Sequence, residues 1–540
     1  MRELVVGVGL VTIVVAVTAL ARRLGALSPI MLVVVGLLLS FVPVVPQVRL
    51  QPAVVLFGVL PPLLYVAAVE TSVPAFRFNL RPILLLAIGL PLFTAACVGF
   101  AVHLLLPTVP LAATFALGAV VAPPDAVAAT AIARRIGLPR RLVAILEGES
   151  LVNDAAALVL FRVTVAAATG QTLTVFGISG SAAVGVVGNA LLAPLGGLAI
   201  GAACGRLLAL IHRRVTDPLI DNSVSLVTPW LAYLPAEQIH ASGVVAVVVT
   251  GLYLGHRYPT LMSAAGRLQM EAFWRMVKFI LEGIVLLLVG LQLRFVVGRL
   301  VGRDGGEPFT TVAAATAIVL GTVVVSRFVW MYPATYLARL LPRVRRRDPA
   351  PTWQYPTVLA WAGMRGVVTL AVALALPARL AGGESYPRDL FVWLAFSVIV
   401  GTLVLQGVTL PAVARMLRIA GDDPKHDALA EASVQQAAAR AARERLDRAT
   451  RTSDEPVPEA VLARLQGKLT DRTNLAWEQL GGRVRETPSG MYSRLRRTMI
   501  DAERNVFRRA RDEGKIPEEV LRRAQRDLDL EESLLHREEP

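Results

Sequence analysis

Residues 82–106, PILLLAIGLPLFTAACVGFAVHLLL, contain no Asp, Glu, Lys or Arg. As a helix rising 1.5 Å per residue, this run is ~37 Å long, enough to cross the ~30 Å hydrocarbon core of a bilayer. Residues 4–21 and 181–211 are comparable. A chain of such runs has little choice but to fold as helices inside a membrane. Composition agrees: 55% of the 540 residues are hydrophobic, 18% are charged and mean hydropathy is +0.58. A soluble domain of this size carries more charge. The expected class is an all-α polytopic membrane protein.

Apolar spans bounded by charge, Pro or Gly fall at about 4–21, 29–45, 53–70, 82–106, 110–133, 141–169, 181–211, 219–235, 240–256, 269–298, 309–341, 355–378 and 389–417, which makes about thirteen helices. The span at 219–235 is the weakest. If the helices alternate in direction, one set of loops holds sixteen arginines: 22, 23, 77, 81, 134, 135, 140, 141, 213, 214, 257, 267, 343, 345, 346 and 347. The other set holds six: Arg2, Arg49, Arg299, Arg303, Arg379 and Arg388. The positive-inside rule then places the N-terminus outside and the C-terminus in the cytoplasm of a plasma-membrane protein. Arg22 and Arg23 directly follow ALA at 19–21, which favours a retained first helix over a cleaved signal.

The net charge of +15 has the same origin. Residues 1–420 hold 32 Lys+Arg and 16 Asp+Glu, whereas residues 421–540 hold 23 and 24. The excess therefore belongs to the membrane loops, and no nucleic-acid partner is implied. Cys97 and Cys204 lie in apolar spans, so neither a disulfide framework nor a metal cluster is expected.

The chain divides at about residue 420 into a membrane domain, 1–420, and a helical cytoplasmic tail, 421–540. In the tail DEPVPEA and TPSG are breaks. Leu495, Met499, Ala502 and Val506 recur at helical spacing, Gly514 can end that helix, and Pro517 suits the first turn of the next. Leu521, Leu528 and Leu535 form a short heptad stripe. A helical hairpin packed on itself or on the loops is expected, with dimer contact or regulation as the other roles.

Ionisable groups at bilayer depth are costly and mark pathways. Of the sixteen acidic residues in the membrane part, Glu70, Asp125, Glu147, Glu149, Asp154 and Glu282 lie within or against apolar spans. Four fall between 125 and 154. On a helix, EGESLVND (147–154) puts Glu147, Glu149, Ser150, Asn153 and Asp154 on one arc of roughly 160°. Glu147 is close enough to Arg140 and Arg141 to be interfacial, while Asp154 is deepest.

Two spans are interrupted. In VVAPPDAVAAT (120–130), Pro123 and Pro124 remove two backbone donors, and Asp125 is placed to cap the second half-helix. In WAGMRGVVTLAV (361–372), Gly363 and Gly366 bracket Arg365. A buried Arg365 must pair with a carboxylate or cap helix carbonyls, and we expect it to neutralise Glu149 or Asp125. Arg162 has no evident role. Glu282 is either a supporting group of the site or the partner of Lys278 four residues before it. The interrupted spans are the fifth and the twelfth, which pair if spans one to six repeat as eight to thirteen. That predicts an inverted repeat around a midplane site.

GESLVND, with PPDAV upstream and GMRGVVTLAVAL downstream, resembles the NhaP/NHE-type monovalent cation:proton antiporters, the first cation:proton antiporter family. LPPLLYVAAVE (60–70) is similar to that family's third helix, and AERNVFRRARDEGKIPEEVLRRAQRDLDLEES resembles the tail of bacterial members. The resemblance implies a homodimer with two crossed broken helices and a sodium/proton exchange site serving pH and sodium homeostasis. It makes Asp154 the cation- and proton-binding carboxylate, Asn153 its partner, and Glu149 and Ser150 further site-lining residues around Na+. Asp125 becomes the broken-helix Asp and Arg365 the core Arg, whereas Glu70 and Glu282 stand where related sequences often carry neutral residues; from their own settings, Glu147 and Glu282 join Arg365 as candidate charge-pairing residues of the core. The family more often has Thr or Val before that Asp and Pro after it; here Pro124 and Ala126 flank Asp125, which leaves the choice among Na+, Li+ and K+ open.

One carboxylate that holds either a cation or a proton, and crosses only when loaded, couples the two flows. Asn153 beside Asp154, in place of a second Asp, points to an electroneutral exchange of one for one. No cofactor and no enzymatic activity are expected, and no G-x-x-x-x-G-K-[ST] motif is present. A cation channel and an intramembrane aspartyl hydrolase built on Asp125 and Asp154 are the competing classes.

Overall fold

Helices occupy every apolar span read from the sequence, with their ends set by local chemistry. The computed structural model describes residues 2–43, 51–171, 174–175, 178–179, 182–301, 308–348, 350–383, 385–419, 421–452, 457–478 and 487–537. Arg49 and Arg303 of the sparse loop set, and Asp454 to Pro456 of the DEPVPEA break, lie outside these residues.

Among the described residues, the helices of the first unit include Arg2–Arg23, Ser28–Leu39, Val54–Glu70, Leu80–Leu105, Arg140–Thr169, Ala182–Arg214, Pro218–Gln238, Gly243–Leu261, Ala264–Leu291, Phe309–Tyr336 and Arg388–Met416. The fifth and twelfth spans are each split, into Leu111–Val121 with Ala126–Arg135 and Gln354–Trp361 with Val367–Leu374. Seven helices among the described residues are long and apolar enough to cross a membrane by length and composition. The weakest span is helical over Pro218–Gln238, and Asp217 caps it by accepting the Leu219 N–H at 2.7 Å. One antiparallel pairing of two residues with two, Thr174–Val175 with Ile178–Ser179, is the only strand structure among the described residues. The class is all-α.

Prolines shape these helices. Pro61 lacks the N–H that would bond the Phe57 carbonyl. A π-helical turn over Val54–Val59 absorbs the misfit, and Trp230 Nε1 donates to the Phe57 oxygen at 2.9 Å. A second π turn, Leu85–Gly89, precedes Pro91, and there Trp330 Nε1 donates to the Leu85 oxygen at 3.0 Å. Small residues set the closest approach of backbones. A Cβ on Gly36 would lie 2.4 Å from the Leu287 carbonyl oxygen, and one on Gly290 2.4 Å from that of Val33. The helices Ser28–Leu39 and Ala264–Leu291 therefore touch backbone to backbone.

The chain forms two compact units, Met1–Gly421 and Asp422–Pro540. Within the second, Pro488–Asp512 and Glu518–Arg537 pair as a hairpin, with Gly514 in the left-handed conformation (φ +70°) between them. Leu521, Leu528 and Leu535 are buried as expected, but the stripe of Leu495, Met499, Ala502 and Val506 is exposed. Ser493, Ile500 and Phe507, also seven apart, take the inner face instead. Both sets recur at heptad spacing, so the choice between them lies in the packing of Ile500 and Phe507 against Leu528 and Leu535. Arg496 clamps the pair through both oxygens of Glu531, at 2.7 and 2.8 Å.

Candidate functional site

The two interruptions face each other and are tied reciprocally. Residues 122–125 and 362–366 are both non-helical. The Asp125 N–H donates to the Met364 carbonyl at 2.6 Å. In return, Arg365 Nε donates to the Val121 carbonyl, at the end of the first half-helix, at 2.7 Å. A second guanidinium nitrogen of Arg365 donates to the Gly363 carbonyl, and its backbone N–H donates to Thr402 Oγ1 at 3.0 Å. Arg365 is fully buried. Its positive charge sits where the orphan carbonyls and dipole of the first half-helix are negative. Prolines 123 and 124 open the helix, the Asp125 N–H turns to the other break, and the arginine of that break takes the Val121 carbonyl it leaves.

Neutralisation of Glu149 by Arg365 is not what the structure shows. Glu149 forms a bidentate pair with Arg327, Nη1 to Oε1 at 2.7 Å and Nη2 to Oε2 at 2.9 Å, with both side chains 1% exposed. Arg327 Nε also donates to the Leu359 carbonyl, at 3.1 Å, on the second broken helix. Both Glu149 oxygens are thus committed, and Glu149 does not line the cavity described below. It is not placed to be a cation ligand. Arg365 leaves this pairing to Arg327 because its own fork is turned to the Val121 and Gly363 carbonyls. Arg327 escaped the sequence reading, although it stands as the lone charge in VVVSRFVW, the same signal that flagged Arg365.

The other residues of EGESLVND separate by depth. Glu147 pairs with Arg134 at 2.6 Å, half-exposed at the rim. Asn153 is fully buried, and its Nδ2 donates to the Pro124 carbonyl at 3.0 Å. It ties the helix Arg140–Thr169 to the first interruption, and it is not part of the cavity wall. Ser150, Asp154 and Asp125 do line one cavity of about 650 Å³, with Thr130 and Thr369 adding hydroxyls from both broken helices. Asp154 is 8% exposed. The mouth of this cavity carries Arg22, Arg134 and Arg135 from the arginine-rich loops. Glu282 also lines it, but Lys278 is not its partner: Lys278 pairs with Glu70 at 2.8 Å. Arg162 pairs with Glu237 at 2.6 Å.

Gly366 makes the crossing possible. A Cβ there would lie 2.2 Å from Asp125 Oδ2 and 2.7 Å from Asp125 Cβ, and the latter cannot move without its backbone. Gly366→Ala is expected to cost ~1–3 kcal/mol by overpacking and to slow transport by displacing Asp125. Melting in detergent and flux in vesicles would both report it, and wild-type values for both would show that the crossing yields freely.

Outside the membrane, the start of the Asp154 helix is anchored. Arg141 donates to Asp348 Oδ1 at 2.6 Å, while Arg81 and Arg339 reach Oδ2 at 2.8 and 2.6 Å. Burial pushes the Asp348 carboxyl up, but the guanidiniums of Arg141, Arg339 and Arg81 outweigh it and hold the group below the usual carboxylate range. A depressed pKa contributes stability above the unfolded value, lost as pH falls through the folded one, so this tie is intact at neutral pH.

Comparison with known proteins bears on what this geometry serves. The transmembrane sodium/hydrogen exchanger family model matches residues 10–416. An uncharacterized Na(+)/H(+) exchanger of Mycobacterium tuberculosis (strain ATCC 25618 / H37Rv) is 36% identical over 541 residues, covering 98% of this chain and 95% of its own. A sodium, potassium, lithium and rubidium/H(+) antiporter of Bacillus pumilus (strain SAFR-032) is 30% identical over 389 residues, covering 71% of this chain and 57% of its own. In fold, the chain matches the sodium proton antiporter MjNhaP1 from Methanocaldococcus jannaschii at pH 8, with a TM-score of 0.59 and 16% identity over 77% of this chain and 99% of the other. The match covers the two interrupted helices and the Asp154 helix, and with it this chain belongs to the sodium/hydrogen exchanger family of membrane transporters.

Proposed function

We propose that the protein exchanges Na+ or Li+ for H+, one for one, across the plasma membrane, and that Asp154 is the group that carries both. One observation supports this above all. Asp154 stands at the wall of a 650 Å³ cavity, beside Asp125 and Ser150 and next to two interrupted helices. Carboxylate and hydroxyl oxygens suit a hard monovalent cation, and a single carboxylate cannot hold the cation and a proton well at once. Loading with one excludes the other, so a site that changes sides only when loaded exchanges them. Asn153, a neutral group hydrogen-bonded to the first interruption, adds no second charge to the cycle.

The arginine-rich loops at the mouth support a cytoplasmic opening, with the N-terminus outside and the C-terminus inside. Homodimeric assembly belongs to the same reading, as does a membrane domain of residues 1–420 followed by a cytoplasmic tail.

The test is reconstitution in proteoliposomes with an internal pH dye. Pulses of Na+ or Li+ are expected to drive proton movement at a rate unchanged by an imposed membrane potential. A cycle that moved one net charge would feel ~2.3 kcal/mol per 100 mV. A rate that follows the potential would overturn the one-for-one exchange, and a current without coupled proton movement would point to a channel. K+ is the alternative cation, since the Bacillus pumilus relative is a sodium, potassium, lithium and rubidium/H(+) antiporter, and a K+ pulse in the same vesicles decides it.

A further inference from the structure

Two oxygens of residues that line the cavity have no hydrogen-bond partner among the described residues. Thr18, in the helix Arg2–Arg23, is 5% exposed, and its Oγ1 has no hydrogen-bond partner among the described residues. Glu282, in the helix Ala264–Leu291, likewise has a buried Oε1 without one. Both residues line the cavity that holds Asp154. Their helices pack closely at this level, since a Cβ on Gly283 would lie 2.3 Å from Val14 Cγ1, one turn from Thr18.

Position along the cavity follows from helix geometry. The rim is marked by Arg22, by the Glu147–Arg134 pair and by the Glu70–Lys278 pair. Thr18 precedes Arg22 by four residues and so lies about one turn, ~6 Å, inside the rim, while Glu282, beside the Gly283 that meets Val14, lies about one turn deeper. Asp154 follows Glu147 by seven, about two turns, ~10 Å, inside it. A cation entering from the rim meets Thr18 first and then Glu282 and Asp154, both about two turns in. The acids at the rim already have basic partners, whereas the Glu282 carboxylate has none among the described residues. Lys278, Asp125 and Glu70 are the charged groups within electrostatic reach of it.

We infer that Thr18 and Glu282 form a second site for the transported monovalent cation, a waiting position in the same cavity as Asp154, reached from the mouth past Thr18. A carboxylate oxygen and a hydroxyl oxygen, both desolvated and both unpaired, supply ligands that such an ion takes with part of its water. A carboxyl in a low-dielectric cleft, whenever it carries its charge, also concentrates cations beside Asp154. The inference rests on Asp154 as the carrier and adds to it: Glu282 sets how readily the carrier fills, not whether it turns over.

The experiment is Na+-driven exchange by the full chain in proteoliposomes, read as rate against Na+ concentration on the cytoplasmic face. Glu282→Gln is expected to raise the half-saturating Na+ concentration on the order of tenfold, with the rate at saturation nearly kept. Thr18→Val, of the same size, is expected to raise it about threefold, and Glu282→Asp to keep most of the affinity. Each variant is first checked for monodispersity in detergent, and Thr18→Val stands as an independent test should Glu282→Gln fold poorly. Unchanged half-saturation in both variants would overturn the second site, as would a fall in the saturated rate at constant half-saturation. Asp154→Asn in the same vesicles separates the two readings. If it is inactive while the Glu282 and Thr18 variants match wild type, only the waiting site fails. If it still exchanges, the carrier assignment itself fails.

Discussion

Asp154→Asn is expected to abolish Na+-driven proton exchange while leaving the protein folded. The amide has the size of the acid but neither its charge nor its exchangeable proton. Asp154 makes no ion pair among the described residues, so its replacement strands no partner. The functional loss is large for the same reason that the structural cost is small. A unit charge ~4 Å from a cation contributes ~4 kcal/mol at an effective dielectric of ~20, on the order of a thousandfold in occupancy. The pH-dye assay would then read background, with yield and monodispersity as in wild type. Undiminished proton flux from this variant would sink the assignment.

The second large effect concerns stability. Glu149 and Arg327 are each 1% exposed and satisfy each other through two hydrogen bonds. Removing one partner leaves an uncompensated charge in a dry interior, which costs ~3–5 kcal/mol. Arg327→Ala and Glu149→Ala are therefore each expected to lower the unfolding midpoint in detergent sharply. Arg327→Met combined with Glu149→Gln should recover much of that loss, because a neutral pair needs no counter-charge. A single variant that melts like wild type would show that the surviving charge finds other compensation. Transport should fall in the arginine variant as well, since Arg327 also holds the Leu359 carbonyl of the second broken helix.

The features legible in the sequence are those that a single segment determines. Apolar length set the spans, and Pro123, Pro124, Gly363 and Gly366 marked both breaks where the structure has them. Asp154 stands out because it is the deepest member of EGESLVND and an apolar run, AAALVLF, follows it. What escaped are choices made between distant segments. Glu149 could meet Arg365 or Arg327, and the contact that decides it spans 178 residues of sequence. Arg327 stands in a setting as apolar as that of Arg365 but without flanking glycines to mark a break, so nothing local distinguishes it. Lys278 had two acids to choose from, and helical spacing favoured Glu282 over a Glu70 that lies 208 residues away. The tail offered two faces of heptad spacing on one helix, and only the packing of Ile500 and Phe507 against Leu528 and Leu535 of the facing helix decides which is inside.

The reciprocal tie between the interruptions has a mechanical meaning. The bond from Arg365 to Val121 joins segments 244 residues apart, and the Asp125 to Met364 bond locks them from the other side. Neither half-helix can tilt, slide or straighten without dragging its counterpart or giving up a buried hydrogen bond. The crossing therefore behaves as one stiff part with four arms. Any change in which side of the membrane Asp154 faces must turn that part as a whole against its surroundings, so the compliance of the machine lies in the helices around the crossing and not at the crossing itself.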